Sequence, residues 1–542
     1  MTPLATHPRY LAVSTLVFAA AMLLTATLVH AANPPIEVVV AGGGPVRGMI
    51  TEDGRAFLGI PYAAPPVGNL RWQPPQPPAD WPGVLDASEF GSSCPQNPGP
   101  FGLASTNEDC LYLNVYTPPV STPVGQQSLP VMVWLHPGAF QVGDSARETP
   151  TDILARGVVV VTLNYRLGVL GWLAHPGLTA ESPDATSGNY GLQDQQKALR
   201  WVQTNIAAFG GNPNNVTIFG ESAGGVSVHA HMISPQSEGL FHRAIIQSGA
   251  YAMTFPTLAS AETQGTAFAT QVGCANLACL RALPVSTILQ NQNPLPSAFV
   301  PRKDGELLPL SPSEAFATGA FHHVPVIEGS THDEFSLFVA TTFFFRNPPL
   351  PANLTYEQRI AILLGVPGAV APFIAAQYPL ASYSSQFEAL TAIGTDSAFA
   401  CNSLLAMSLL APQVSTWGYE FDDPNAPMGA LPQVPGFSYG AFHGSELQYL
   451  FDVRRTQTAP ALDAAQQQLA NAMQSYWTKF AASGNPNSSD APAWPQHVTL
   501  TQATVATSRI QLLAPPTPVP YYTAQFAADH KCSFWAQLAG GS

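Results

Sequence analysis

The chain has 542 residues, of which 46% are hydrophobic and 10% charged, and 34 Asp and Glu against 20 Lys and Arg leave a formal net charge of −14. A chain this apolar is not disordered, and one this long can bury a large core. The acidic balance excludes a nucleic-acid partner, which would need a basic face, and is read as solubility and not as a substrate preference.

Residues 1–31 read as a signal peptide. Arg9 supplies a modest positive start, residues 11–29 are apolar, and Val29-His30-Ala31 before Ala32 fits a small-residue cleavage site. The competing reading is an uncleaved signal anchor, because the apolar run is long. The leader implies export to a secreted or periplasmic location. No Cys sits near the cleavage site, so no lipid anchor is indicated. No other stretch reads as long and apolar enough to span a bilayer, and no obligate membrane partner is expected. The remaining residues, 32–542, read as one domain.

The mature chain holds six Cys, at 94, 110, 274, 279, 401 and 532. An even count in an exported protein favours disulfides over free thiols or a metal site. Spacing suggests pairing of Cys94 with Cys110 and Cys274 with Cys279, leaving Cys401 with Cys532.

Residues 36–40 and 45–51 read as strands around the turn Gly42-Gly43-Gly44. No Lys-Ser/Thr follows, so the triplet reads as a hairpin and not a phosphate loop. Residues 61–82 are dense in Pro and must be irregular. Residues 111–116 read as a strand. Residues 130–135 and 157–164 are continuous apolar runs, as expected of strands buried on both faces. Residues 192–209 have helical periodicity, with Leu199, Val202, Ile206 and Ala207 on one side. Residues 216–219, 242–248, 324–329 and 414–420 read as further strands, and 459–483 as a late amphipathic helix. Strands alternating with helices imply an α/β fold with a largely parallel sheet wrapped by helices.

Between the strand at 216–219 and a helical run from Gly225 stands Gly220-Glu221-Ser222-Ala223-Gly224. G-x-S-x-G in a strand–turn–helix context is the pattern of a nucleophile elbow. The small neighbours tolerate a strained turn, and the helix that follows aims N–H groups and a positive dipole end at the reacting oxygen.

Several longer motifs carry a resemblance. Gly59-Ile60-Pro61-Tyr62-Ala63, residues 108–115 (Glu-Asp-Cys-Leu-Tyr-Leu-Asn-Val), Asn164-Tyr165-Arg166-Leu167-Gly168 and residues 188–195 (Gly-Asn-Tyr-Gly-Leu-Gln-Asp-Gln) resemble the type-B carboxylesterase family, which includes the cholinesterases. The likeness runs through residues 209–213 to the elbow and on to Cys532-Ser533-Phe534-Trp535. With Arg outnumbering Lys and 53 Pro, it points to a secreted bacterial carboxylesterase. It implies the α/β-hydrolase fold and a serine hydrolase cleaving carboxylic esters through an acyl-enzyme. Ser222 is the expected nucleophile. Glu334 and His443 are nominated as orienting acid and general base because residues 329–334 and 439–446 resemble the family's acid and histidine segments.

The loop Leu135-His136-Pro137-Gly138-Ala139-Phe140 follows a buried strand, where the family has three glycines. By position, the N–H groups of Gly138, Ala139 and Ala223 form the expected oxyanion hole, and Pro137 falls where no donor is needed. The Ala139 methyl is expected to narrow acyl tolerance. Glu221 and Ser248 are placed to tune the site. The resemblance also implies the three disulfides above and a buried Arg71–Glu108 ion pair. His229, His231, His322 and His323 lack a completing Cys or carboxylate, so no metal and no cofactor is expected.

The chain also departs from the family. The Cys94–Cys110 loop has no Trp to hold a quaternary ammonium, which argues against choline esters. Phe335 follows the acid where Gly is common; with Leu337, Phe338 and Phe343-Phe344-Phe345 it reads as an apolar gorge wall or as core packing. Sequons occur at Asn215, Asn353 and Asn487. The expected substrate is a small-molecule or polymer ester. Rival readings are an amidase or carbamate hydrolase with the same triad and a non-catalytic binding member of the fold. The oligomeric state is not indicated.

Overall fold

Alternation along the central strands decides the layering of the molecule. A computed structural model describes residues 36–99, 101–119, 128–292, 300–453, 460–498 and 507–540. The proposed leader lies outside the described residues. In chain order the strands are β1 (Ile36–Val40), β2 (Gly44–Thr51), β3 (Gly54–Pro61), β4 (Leu85–Asp86), β5 (Tyr112–Thr117), β6 (Leu129–Leu135), β7 (Val159–Leu163), β8 (Gly211–Glu221), β9 (Arg243–Gln247), β10 (Val326–Thr331), β11 (Thr416–Phe421), β12 (Arg509–Leu513) and β13 (Val519–Tyr522). They form one sheet in the order β1-β2-β3-β5-β7-β6-β8-β9-β10-β11-β12-β13, with β4 paired to β2. From β7 to β12 neighbours run parallel. The edges beyond are antiparallel.

Side chains alternate across this sheet, as a period of two requires. On β6, Val131, Val133 and Leu135 enter one core with Val159, Val161, Val216 and Ile218. Met132 and Trp134 enter the opposite core with Val160, Phe219, Ile245 and Ile327. Both faces of the central strands are therefore covered, which explains their unbroken apolar runs.

The expected hairpin at residues 36–51 is present, with Gly42 at φ +73° in its turn. The helix expected at 192–209 spans Tyr190–Asn205 and tightens into a 3₁₀ turn at Ile206–Phe209. Gly210, at φ +89°, ends it. The late helix begins at Ala464, not 459, because Asp463 and Gln466 form a reciprocal capping box. β3, β12 and β13 were not legible as strands. β3 carries Gly54 and Gly59 and breaks register between Phe57 and Ile60, which destroys a clean alternation.

The three disulfides pair as expected: Cys94–Cys110, Cys274–Cys279 and Cys401–Cys532. Arg71 and Glu108 form a bidentate pair with Nε to Oε1 at 2.8 Å. One expectation needs correction. The continuous helical stretch Gln386–Leu410 is long and apolar enough to cross a membrane, and 61% of its most apolar window is buried. Its centre carries Asp396, which accepts hydrogen bonds from Tyr378 Oη at 2.7 Å and pairs with His530 at 2.6 Å. A buried acid tied to two partners at mid-helix is the signature of a core helix, so its hydropathy reflects packing inside the protein.

Candidate active site

The strand β8 ends at Glu221, and the helix Ala223–Ile233 begins one residue after Ser222. Ser222 itself is held at φ +53°, ψ −118°. That backbone is costly for a residue with a Cβ and persists only where its surroundings enforce it. They do so by leaving no space. A Cβ at Gly224 would stand 1.8 Å from Leu135 O, and one at Gly220 2.5 Å from the Gly224 carbonyl carbon. The Ser222 N–H donates to Gln247 O on the neighbouring strand at 2.9 Å. Ser222 is 7% exposed and lines one cavity.

β10 delivers the acid. Glu334 is fully buried just past its end; Oε1 accepts from Thr331 N at 2.9 Å, and Oε2 lies 2.5 Å from His443 Nδ1. His443 Nε2 has no hydrogen-bond partner among the described residues. It stands 3.2 Å from Glu221 Oε1, within ion-pair distance but not aligned as a hydrogen bond. Burial alone would push the imidazole down; the carboxylates of Glu221, Glu334 and Glu446 outweigh it and hold His443 up at about 9. Glu446 sits one turn after His443, its Oε1 accepting from Gln247 Nε2 at 3.0 Å, while Trp477 Nε1 donates to Gln247 Oε1 at 3.1 Å. Burial pushes Glu446 up to about 7 and drives Glu221 well above the carboxylate range.

β6 delivers the donor loop. Gly138 has φ +117°, and its Cβ position lies 2.0 Å from Val142 O. Ala139 and Phe140 also have positive φ, at 54° and 59°. The Gly138 carbonyl is consumed by Gln141 N at 2.9 Å and Val142 N at 3.0 Å, while the N–H groups of Gly138 and Ala139 have no acceptor among the described residues. Ala223, the first residue of its helix, likewise has no intrahelical acceptor. His136, stacked on Tyr165 at 4.2 Å, buttresses the loop by donating from Nδ1 to Pro137 O at 2.7 Å. Burial pushes His136 down to about 4, so it is neutral.

These groups open on one cavity of about 380 Å³, mostly apolar, whose wall includes Phe101 from the Cys94–Cys110 loop. Leu337 and Phe338 line it, and Phe338 packs on His443 at 5.2 Å. Phe335 does not line it. Its ring fills the space a side chain at Gly394 would need, so this departure from the family is absorbed by a glycine on the facing helix. Phe343 and Phe344 pack on Phe387, and Phe345 is exposed. The aromatic segment thus divides between cavity wall and core.

Ser222, Glu334, His443, Glu221, Gly138 and Ala139 are brought together. Ser248 lies behind the elbow at φ +52°, fully buried, its Oγ without a partner among the described residues. The histidines weighed as metal ligands are engaged elsewhere: His229 with Glu328 at 2.9 Å, His231 with Gln195 and Ser237, both at 3.0 Å, and His322 with Ser234 O at 2.7 Å.

Four site residues were missed. Glu446 lies three residues after His443 and was open to notice by helical spacing. Tyr251, whose hydroxyl meets the Ser222 side chain, and Phe399, 5.0 Å from the His443 ring, carry no local signal. Nor does Arg147 on the cavity wall.

Residues 35–535 match the model of the carboxylesterase family. The chain is 37% identical over 476 residues to a fumonisin B1 esterase of Sphingopyxis macrogoltabida, covering 84% of this chain and 83% of that one. It is 36% identical over 492 residues to the para-nitrobenzyl esterase of Bacillus subtilis, covering 86% and 94%. A solved thermophilic PNB esterase superposes with a TM-score of 0.75 at 33% identity, covering 92% of this chain and 99% of that one. The architecture shared with it is the α/β-hydrolase fold.

Proposed function

From the premise that this chain belongs to the type-B carboxylesterase family and is an ester-hydrolysing enzyme, we propose that Ser222, His443 and Glu334 carry the reaction through an acyl-enzyme. Ser222 Oγ attacks the ester carbonyl while His443 Nε2 takes its proton. Glu334 holds the imidazole by Nδ1 and stabilises the imidazolium. The negative oxygen of the tetrahedral intermediate is met by the N–H groups of Gly138, Ala139 and Ala223, each worth roughly 3–4 kcal/mol in comparable sites. His443 then returns the proton to the departing alcohol. Water attacks the acyl-enzyme with His443 again as base, and the acid is released.

The observation that carries this reading is convergence. A strained serine, a histidine with one free nitrogen and an acid on the other, and N–H groups without acceptors all open on one apolar cavity. Glu221 is proposed to support the imidazolium, and Ser248 to brace the turn. The test is turnover of p-nitrophenyl esters of increasing chain length by the mature protein, beside Ser222→Ala. The variant should lose roughly a million-fold in kcat; turnover that survives it overturns the assignment of Ser222.

We further propose that residues 32–542 act as a single catalytic domain, exported behind the leader at 1–31. Three disulfides support an oxidising compartment. Mass analysis of the protein recovered outside the cytoplasm should begin at Ala32; retention of the leader would favour the anchor.

A further inference from the structure

Ester hydrolysis as described makes no use of Arg147. This residue lies between β6 and the short helix Thr151–Leu154, on the wall of the cavity that holds Ser222 and His443. Its side chain is 9% exposed. A guanidinium presents five N–H donors in a planar fork. None of them donates to a described residue, and none is sealed from solvent, so the fork opens to the cavity. Its partner Glu148 stands with Oε1 4.0 Å from Nε, too far for a hydrogen bond.

The neighbouring acids are engaged elsewhere. Glu148 Oε2 accepts from Trp134 Nε1 at 3.2 Å. Asp144 accepts from Ser93 Oγ at 3.0 Å and from Ala146 N at 2.9 Å. Burial pushes the Glu148 carboxyl up to about 7, which weakens its hold on the guanidinium near neutrality. Much of the remaining wall is apolar, with Phe101, Val142, Leu337, Phe442 and Leu447. A cation nine-tenths buried in such a wall, with donors that reach the cavity and meet no acceptor among the described residues, gains from an acceptor that arrives there.

We propose that Arg147 is an anion-recognition subsite, selecting esters whose acyl or alcohol half bears a second, free carboxylate. The guanidinium takes both carboxylate oxygens in a parallel pair of charge-assisted hydrogen bonds. Apolar walls limit screening, so the contact discriminates strongly between an anionic substrate and its neutral isostere. This inference rests on the Ser222 reading, because it is the same cavity that holds the scissile ester.

Two substrate pairs locate the carboxylate. Mono-p-nitrophenyl glutarate against p-nitrophenyl pentanoate places it on the acyl half; 4-acetoxybenzoate against 4-acetoxybenzamide places it on the alcohol half. The ratio of kcat/KM, anionic over neutral, is measured for the wild type, Arg147→Gln and Arg147→Lys. In at least one pair the ratio should fall by about tenfold or more in Arg147→Gln, chiefly through KM. Arg147→Lys should lie between, since it keeps the charge and loses the fork. Equal ratios in wild type and Arg147→Gln for both pairs overturn the proposal. Should the variants not fold, inhibition of wild-type turnover of the neutral ester decides. Glutarate should inhibit at least about tenfold more strongly than glutaramide, and equal inhibition overturns the proposal. If the wild type leaves the neutral esters untouched and Ser222 takes no fluorophosphonate label, it is the Ser222 reading that fails; labelling and neutral turnover with equal ratios reject Arg147 alone.

Discussion

Replacing Glu221 by Gln removes one carboxylate beside the His443 imidazole and nearly conserves shape. Glu221 Oε1 stands 3.2 Å from His443 Nε2, and Coulombic attraction from Glu221 is the largest influence raising the imidazole. Two full charges about 4 Å apart interact by about 4 kcal/mol at an effective dielectric of about 20. That is a ceiling, because burial and the neighbouring acids drive Glu221 itself well above the carboxylate range. A fall of about one to two pK units is expected for His443, or roughly 1.4–2.7 kcal/mol. The free imidazole is the base, so the acid limb of kcat/KM should move to lower pH by that amount. The imidazolium formed in the transition state loses the same support, so the plateau should fall by up to the same factor. On the acid side of both limbs the two enzymes should converge. Initial rates with a neutral p-nitrophenyl ester from pH 5 to 10 measure all three quantities. An acid limb that stays in place, or moves upward, refutes the reasoning.

Ala139→Gly removes the methyl beside the donor N–H groups and relieves a left-handed backbone at φ 54° that costs an L-residue about 1–2 kcal/mol. Turnover of branched acyl esters should rise relative to acetyl esters; an unchanged ratio rejects the steric role of the methyl. Gly224→Ala should cost about 3 kcal/mol or more and abolish activity, since the new Cβ meets a backbone oxygen at 1.8 Å; a variant that melts like wild type contradicts this. His530 lies between Asp396 Oδ1 at 2.6 Å and Glu420 Oε1 at 2.7 Å. Burial alone would lower it, but these acids raise it to about 9, above the roughly 6.5 of an unfolded chain. It therefore contributes on the order of 3 kcal/mol that is present in full below pH 6.5 and lost as pH rises through 9. Thermal melts from pH 6 to 10 should show that decline, and His530→Gln should flatten it; parallel curves for both proteins would speak against the pairing.

The elbow was legible because its constraints are local. Gly220 and Gly224 are needed because the turn folds tightly on itself, and that contact is written within a few residues of Ser222; the closer approach of Gly224 to Leu135 O belongs to the fold. The central strands were legible for a similar reason: burial on both faces leaves unbroken apolar runs at 131–135 and 159–163. Glu334 and His443 were different. Nothing in their immediate neighbours separates them from other acids and histidines, and they were found through the longer motifs that resemble a family. β3 escaped because its glycines and its bulge erase the alternation that marks a strand.

What composition, periodicity and local sterics could decide, they decided: an α/β chain with a serine on a strained turn and an acidic, apolar composition unsuited to nucleic acid; the three disulfides were suggested by spacing and implied by the family resemblance. What they could not decide is which side chains from separate strand ends share one cavity. His443 and Glu446, on one loop, and Glu221, at the end of β8, shift one another only because two segments far apart in sequence meet at the carboxyl edge of the parallel sheet. Phe335 finds its place only because Gly394, on a helix far along the chain, leaves room for its ring. Arg147 is an ordinary surface cation in the sequence and a cavity-wall cation in the fold. Electrostatics and packing act through space, over distances that the chain crosses only once it is folded.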